Sequence, residues 1–203
     1  MSTAIKICGF TKAPEGALIE ELGIDFIGIN FVPRSPRCVT IERAMEIRKT
    51  LGDAIPVLIF ENENLEKVQE IAKKMVCTHV QFHGDESVET LGLLPLTVIK
   101  AYRFVPDAEE LEKALTHVAY VLVDGAQNGQ LTDIDRAAVL PASVRSRLFI
   151  AGGLNPQNVR CIIERVRPYG VDAASGIESS PGVKDPEKLR AFVGAVRSTP
   201  SPS

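Results

Sequence analysis

Cys8 and Asp124 are the two side chains in this sequence best suited to moving protons on a bound molecule, because each stands where a short apolar run stops. A thiol acts as base or nucleophile only as thiolate. Its ordinary pKa of about 8.5 must therefore be lowered, or the proton must leave once a complex forms. Lys6 lies two residues before Cys8, on the same face of an extended chain, where its ammonium would favour the thiolate. Asp124 follows Val118 to Val123, the longest unbroken apolar run. A carboxyl against such a wall has its pKa raised and is suited to donate a proton as general acid. The competing roles are a filler for Cys8 and a loop cap for Asp124.

Other positions suit an anionic ligand. Gly152-Gly153-Leu154 and Ala174-Ser175-Gly176 each follow an apolar run, and glycines let backbone N–H groups approach a phosphate closely. Turning the chain is their alternative use. Arg37, in Pro33-Arg34-Ser35-Pro36-Arg37, offers a guanidinium that would grip a carboxylate with two hydrogen bonds, or else be a solvated charge. His83 either contacts substrate or ties down its loop. His79 and His117 do not cluster with acidic residues at ligand spacing, so no metal site is expected.

These residues need elements to position them. Strands are expected at Ala4 to Cys8, Asp25 to Phe31, Pro56 to Phe60, Thr78 to Phe82, Val98 to Tyr102, Ala119 to Val123, Leu148 to Ala151 and Gly170 to Ala174. Helix signals lie between them. Pro14 suits a first turn, and Thr40 caps a helix from about Ile41 to Leu51. Leu65, Val68, Ile71, Ala72 and Met75 recur at helical spacing. A short helix is expected over Glu86 to Leu93. Asp107 with Glu110 opens another, which runs to about Thr116. Asn155-Pro156 and Asp185-Pro186 each supply a cap and a first-turn proline. The stripes Val159, Ile162, Ile163, Val166 and Leu189, Phe192, Val193, Val196 follow them.

Eight β-α units are the number that closes a parallel ring with side chains filling its middle. The expected architecture is α/β: a compact (βα)8 TIM barrel over residues 1–197, with a frayed tail at 198–203. An open doubly wound sheet is the alternative, but Cys8-Gly9-Phe10-Thr11 supplies no G-x-G-x-x-G after the first strand. In a closed ring strands one and eight are neighbours, so Lys6 should pair with Asp172. Barrels of this kind often hold phosphate between the last two loops and a short extra helix, expected at Ile177 to Ser180.

Composition narrows the class. The 203 residues carry a net charge of −3, with 45% hydrophobic and 24% charged residues. That balance suits one globular domain and argues against a nucleic-acid surface, which needs a basic stripe. No apolar run is long enough to span a bilayer, and Met1 to Lys6 lacks the apolar core of a secretory signal. A cytoplasmic location is expected. The four cysteines form no C-x-x-C pair. Cys38, Cys77 and Cys161 are expected to be small buried hydrophobes.

Together these segments resemble the phosphoribosylanthranilate isomerase family. The resemblance is carried by Lys6 to Thr11, Gly28 to Phe31, Ser35-Pro36-Arg37, Gln81 to Gly84, Val123-Asp124, Ala151 to Asn158, Val171 to Glu178 and Pro181 to Asp185. It covers Lys6 to about Val196, and the order and spacing of the segments make it specific. It implies a (βα)8 barrel that needs no cofactor and takes a small phosphosugar substrate. The implied reaction is the Amadori rearrangement of N-(5-phosphoribosyl)anthranilate in tryptophan biosynthesis. Asp124 would be general acid and Cys8 general base. Arg37 would hold the anthranilate carboxylate, and Gly152, Gly153, Ser175 and Gly176 the phosphate. The chain departs from the family pattern after strand six, where Gly125 to Arg136 keeps chiefly Gly129 and Asp135. It also has Leu58 for a frequent glycine and Ala174 for a common serine. Two other readings stay open: another phosphosugar isomerase, and a phosphate-ligand-binding barrel without chemistry. The sequence does not fix the oligomeric state.

Overall fold

The computed structural model describes residues 2–12, 16–125 and 132–199. Pro14, most of the loop after Asp124 (126–131) and the end of the expected tail (200–203) lie outside them. Eight parallel strands close into a barrel in sequence order: β1 (Ala4–Cys8), β2 (Phe26–Asn30), β3 (Ile55–Phe60), β4 (His79–Phe82), β5 (Thr97–Tyr102), β6 (Tyr120–Val123), β7 (Leu148–Ile150) and β8 (Gly170–Ala173). β1 pairs with β8 in a register that sets Lys6 opposite Asp172.

Helices form the outer layer. They are α1 (Gly16–Leu22), α2 (Ile41–Arg48), α3 (Leu65–Met75), α4 (Val88–Leu91), α5 (Ala108–Ala114), α6 (Ile134–Ala138), α7 (Ala142–Arg145), α8 (Val159–Val166) and α9 (Pro186–Arg197). Their starts follow the sequence signals. Thr40 accepts from the Arg43 N–H, Asp107 from Glu110, and Asp185 from Glu187 and Lys188. The apolar stripes of α8 and α9 are buried against the sheet. Side chains alternate along each strand. One set therefore packs under the helices. The other fills the barrel, with Phe26, Val57, Ile99, Leu122 and Phe149 at its centre.

Four expectations are corrected. Ile177 to Ser180 is not a helix. A single 3-10 turn spans Ser175–Ile177, and Glu178–Ser180 (β9) then pairs antiparallel with Val183–Lys184 (β10). Pro181-Gly182, with Gly182 at φ +82°, turns the chain back. Cys38 and Cys161 are exposed, and only Cys77 of the three is buried. Cys161 falls between Arg160 and Ile162, off the apolar stripe of α8. The helix expected over Glu86 to Leu93 shrinks to α4, which Ser87 caps by accepting from Thr90. Asn155 acts one turn before α8: its side chain accepts from the Gln157 and Asn158 N–H groups.

Among the described residues no helix is long and apolar enough to cross a membrane.

Candidate active site

All eight residues singled out for chemistry or binding meet at the carboxyl-terminal mouth of the barrel. Cys8, Arg37, His83, Asp124, Gly152, Gly153, Ser175 and Gly176 line one cavity of about 570 Å³. Strand polarity accounts for the convergence. Every parallel strand ends at the same rim, so residues far apart in sequence share it.

Cys8 ends β1, and its thiol fits because β2 carries Gly28 beside it. A Cβ at that position would lie 2.9 Å from the Cys8 sulfur. Below the thiol, Lys6 Nζ donates to Asp172 Oδ2 at 2.8 Å, with the ammonium fully buried. Burial lowers the Lys6 pKa, but the Asp172 carboxylate, with Cys8 and Asp124 adding to it, more than offsets that, so the net direction is up and the ammonium stays charged. The expected pair is present. Its consequence for Cys8 differs from the expectation. Burial raises the thiol pKa, Lys6 lowers it, and Asp172 raises it again. The net direction is up, so the resting group is a protonated thiol.

Asp124 follows β6 and is pushed up to about 6, first by burial and second by the Asp172 carboxylate. A carboxyl with that pKa keeps its proton at mildly acid pH and is tuned as a donor. Asp172 has a further feature. Its Oδ1 is buried with no hydrogen-bond partner among the described residues, and Asp172 lines the cavity. His83 is neutral: burial, then the cations Lys6 and Arg103, lowers it to about 3. Its Nε2 meets the side-chain amide of Gln81.

The glycine loops touch each other. Gly152 and Gly153 take φ of +82° and +65°, which side chains resist. A Cβ on Gly176 would collide with the Leu154 carbonyl, and one on Gly152 with Gly125. Asn158 Nδ2 donates to the Gly153 carbonyl at 3.0 Å. The Asn155 to Asn158 segment therefore shapes the loop as well as starting a helix.

Arg37 carries a partner that the sequence did not reveal. Its Nε and Nη2 donate to Glu178 at 2.8 and 2.6 Å. One edge of the guanidinium is therefore taken, and the Nη1–Nη2 edge is the one left to face a ligand. Arg34 pairs with Glu61, as does Arg103, so it does not back Arg37. Glu178 and Lys184 flank Pro181-Gly182. That turn signal would have placed them opposite each other, had it been read as a hairpin.

The closed ring and its polar mouth put the chain in the class of (βα)8-barrel enzymes, which act at that mouth. Comparison with known proteins narrows the class. A sequence profile described as N-(5'phosphoribosyl)anthranilate (PRA) isomerase matches residues 5–195. The N-(5'-phosphoribosyl)anthranilate isomerase of Myxococcus xanthus is 38% identical, covering 98% of both chains. That of Roseiflexus castenholzii is 40% identical over 95% of this chain and 97% of its own. Among solved structures, the Thermus thermophilus phosphoribosyl anthranilate isomerase superposes with a TM-score of 0.85 at 32% identity, covering 97% of this chain and 99% of that one. A phosphoribosyl anthranilate isomerase in complex with reduced 1-(o-carboxyphenylamino)-1-deoxyribulose 5-phosphate gives 0.80 at 32% identity, with 96% and 98% covered. The chain belongs to the N-(5'-phosphoribosyl)anthranilate isomerase family.

Proposed function

We propose that Cys8 and Asp124 are the base and acid with which this chain isomerises N-(5'-phosphoribosyl)anthranilate to 1-(2-carboxyphenylamino)-1-deoxyribulose 5-phosphate. The observation that carries the assignment is their common cavity, with one carboxyl raised to about 6 facing the same space as one thiol. Asp124 gives its proton to the ribose ring oxygen. The C1–O bond breaks and a Schiff base forms to the anilino nitrogen. Cys8, as thiolate, takes the proton from C2, and the electron pair moves into an enolamine. Tautomerisation then yields the ketone. The resting thiol must first lose its proton to solvent, and the nearby charges of Lys6, Lys184 and Arg37 favour the anion.

Gly152, Gly153, Ser175 and Gly176 hold the phosphate by backbone donors, and the free edge of Arg37 takes the anthranilate carboxylate. Asp172 Oδ1, lacking a partner, accepts a hydrogen bond from a sugar hydroxyl. His83 stays neutral and serves as a wall contact. The same reading makes residues 1–197 one domain and the enzyme a cytoplasmic one.

Turnover is followed as the decay of anthranilate-type fluorescence in substrate made from anthranilate and phosphoribosyl pyrophosphate. Cys8→Ala and Asp124→Asn should each cost on the order of 10²-fold or more in kcat, the usual scale for a general acid or base. Undiminished turnover in Cys8→Ala would remove the base assignment. An inactive intact protein that still binds the phosphosugar would favour the barrel without chemistry.

A further inference from the structure

The hairpin after β8 binds to three different rim segments, and all of that bonding runs through or beside one carboxylate. Glu178 is buried, with 8% of its surface exposed. Its Oε1 accepts from Arg37 Nε at 2.8 Å, Lys184 Nζ at 2.7 Å and the Gly182 N–H at 3.2 Å. Its Oε2 accepts from Arg37 Nη2 at 2.6 Å. Lys184 Nζ in turn donates to the Cys8 carbonyl at 2.5 Å. Thr11 Oγ1 ties the loop after β1 to the Gly182 carbonyl at 2.6 Å. The stem of Arg37 lies across Gly9, where φ is +84° and a Cβ would overlap it.

We propose that Glu178 is a positioning residue for substrate recognition. It fixes the Arg37 guanidinium so that its second edge faces the cavity, and through Lys184 it fastens the strand end that carries Cys8. The proposal rests on the reading of Arg37 as the carboxylate-binding group. Three features favour it over a merely structural bond. The pair is bidentate and shielded, with 20% and 4% side-chain exposure, so it holds a geometry that an exposed pair would not. Four donors converge on two oxygens, which leaves Glu178 little freedom to turn. Arg37 also lines the cavity, whereas Glu178 stands behind it.

The test measures two affinities by calorimetry. The probes are the reduced product analogue, which carries both the aromatic carboxylate and the phosphate, and inorganic phosphate, which reports the glycine loops alone. Glu178→Gln should weaken the analogue roughly 10-fold to 100-fold, the scale of a lost charge-assisted hydrogen bond, and leave inorganic phosphate unchanged. KM should rise by a similar factor while kcat falls less. In an Arg37→Ala background the same substitution should weaken the analogue no further, because its effect passes through Arg37. Glu178→Asp keeps the charge and should fall between the two, which preserves the test if the glutamine variant does not fold. Equal weakening of both probes would reduce Glu178 to a hairpin tie and overturn the proposal. Tighter analogue binding would overturn it too, since Glu178 would then be competing with the ligand for Arg37. An intact protein that binds phosphate but not the analogue would instead defeat the reading of Arg37, and this proposal with it.

Discussion

The two ends of the barrel are built from opposite materials. At the carboxyl mouth, the buried groups Lys6, Asp172, Glu178 and Lys184 crowd together with the half-buried Asp124. At the floor, rings do the packing. Phe149 meets Phe26 edge-on at 5.6 Å, Tyr120 at 5.6 Å and Tyr169 at 5.2 Å between centroids. The floor also opens to the larger cavity, about 860 Å³ against 570 Å³ at the mouth. Size is thus a poor guide to chemistry in this molecule. The mouth has convergent titratable groups, whereas the rim of the floor cavity mixes Phe26, Ile55 and Tyr169 with scattered charges. The contrast assigns stability to one end and reactivity to the other.

The sharpest way to break that division is Phe149→Ala. Phe149 is fully buried at the centre of the floor cluster, so its removal should cost about 3 to 5 kcal/mol, read from the shift in urea midpoint. Turnover per folded molecule should not change. A matching loss of kcat would mean that the floor sets the geometry of the mouth, and the two ends could no longer be treated as separate.

The next effect is smaller and has the opposite sign. Asp124 binds its proton more tightly folded, at about 6, than at the ordinary value of 3.8. Between those two pH values the folded state holds more protons than the unfolded one, so stability falls as pH rises through the window. The penalty is complete above it. Asp124→Asn abolishes the ionisation. It should therefore stabilise the protein by about 2 to 3 kcal/mol near pH 8, and the gain should vanish below about pH 4. The substitution expected to cost the most turnover would then raise the melting temperature. A pH-independent change, or a loss of stability at alkaline pH, would show that Asp124 is not held against burial at the mouth.

The two ends also differ in how far sequence reasoning reaches. The strands were legible because Val- and Ile-rich runs stop at punctuation, and in a parallel barrel those stops are the active rim. That is why the sequence alone brings Cys8, Asp124 and the glycine loops together. The Lys6–Asp172 pair followed from ring closure alone. Glu178 was not legible in this way. Its partner Arg37 lies 141 positions away, and the local signal of the segment favours a helix over the hairpin that forms. The space that Gly28 leaves for the Cys8 sulfur is a three-dimensional fact with no one-dimensional trace. Cys161 is a different kind of miss. Its helical phase, off the Val159, Ile162, Ile163 and Val166 stripe, places it outside and overrides the general habit of cysteine to be buried. The aromatic floor is not legible either, because single rings on three strands and on the residue before a fourth carry no motif.

The smallest predicted effect asks what holds the floor together. The rings of Tyr120 and Tyr169 meet at a tilt, 4.8 Å between centroids, and their hydroxyls lie 3.4 Å apart. That separation is long for an O–H···O bond, so ring contact should carry most of the energy. Tyr169→Phe keeps the ring and deletes the hydroxyl. It should cost less than about 1 kcal/mol and leave kcat and KM unchanged. A larger loss would make the hydroxyl pair a structural bond in its own right. The floor would then depend on buried polar pairing, as the mouth does, and the contrast between the two ends would narrow to the identity of the charged groups.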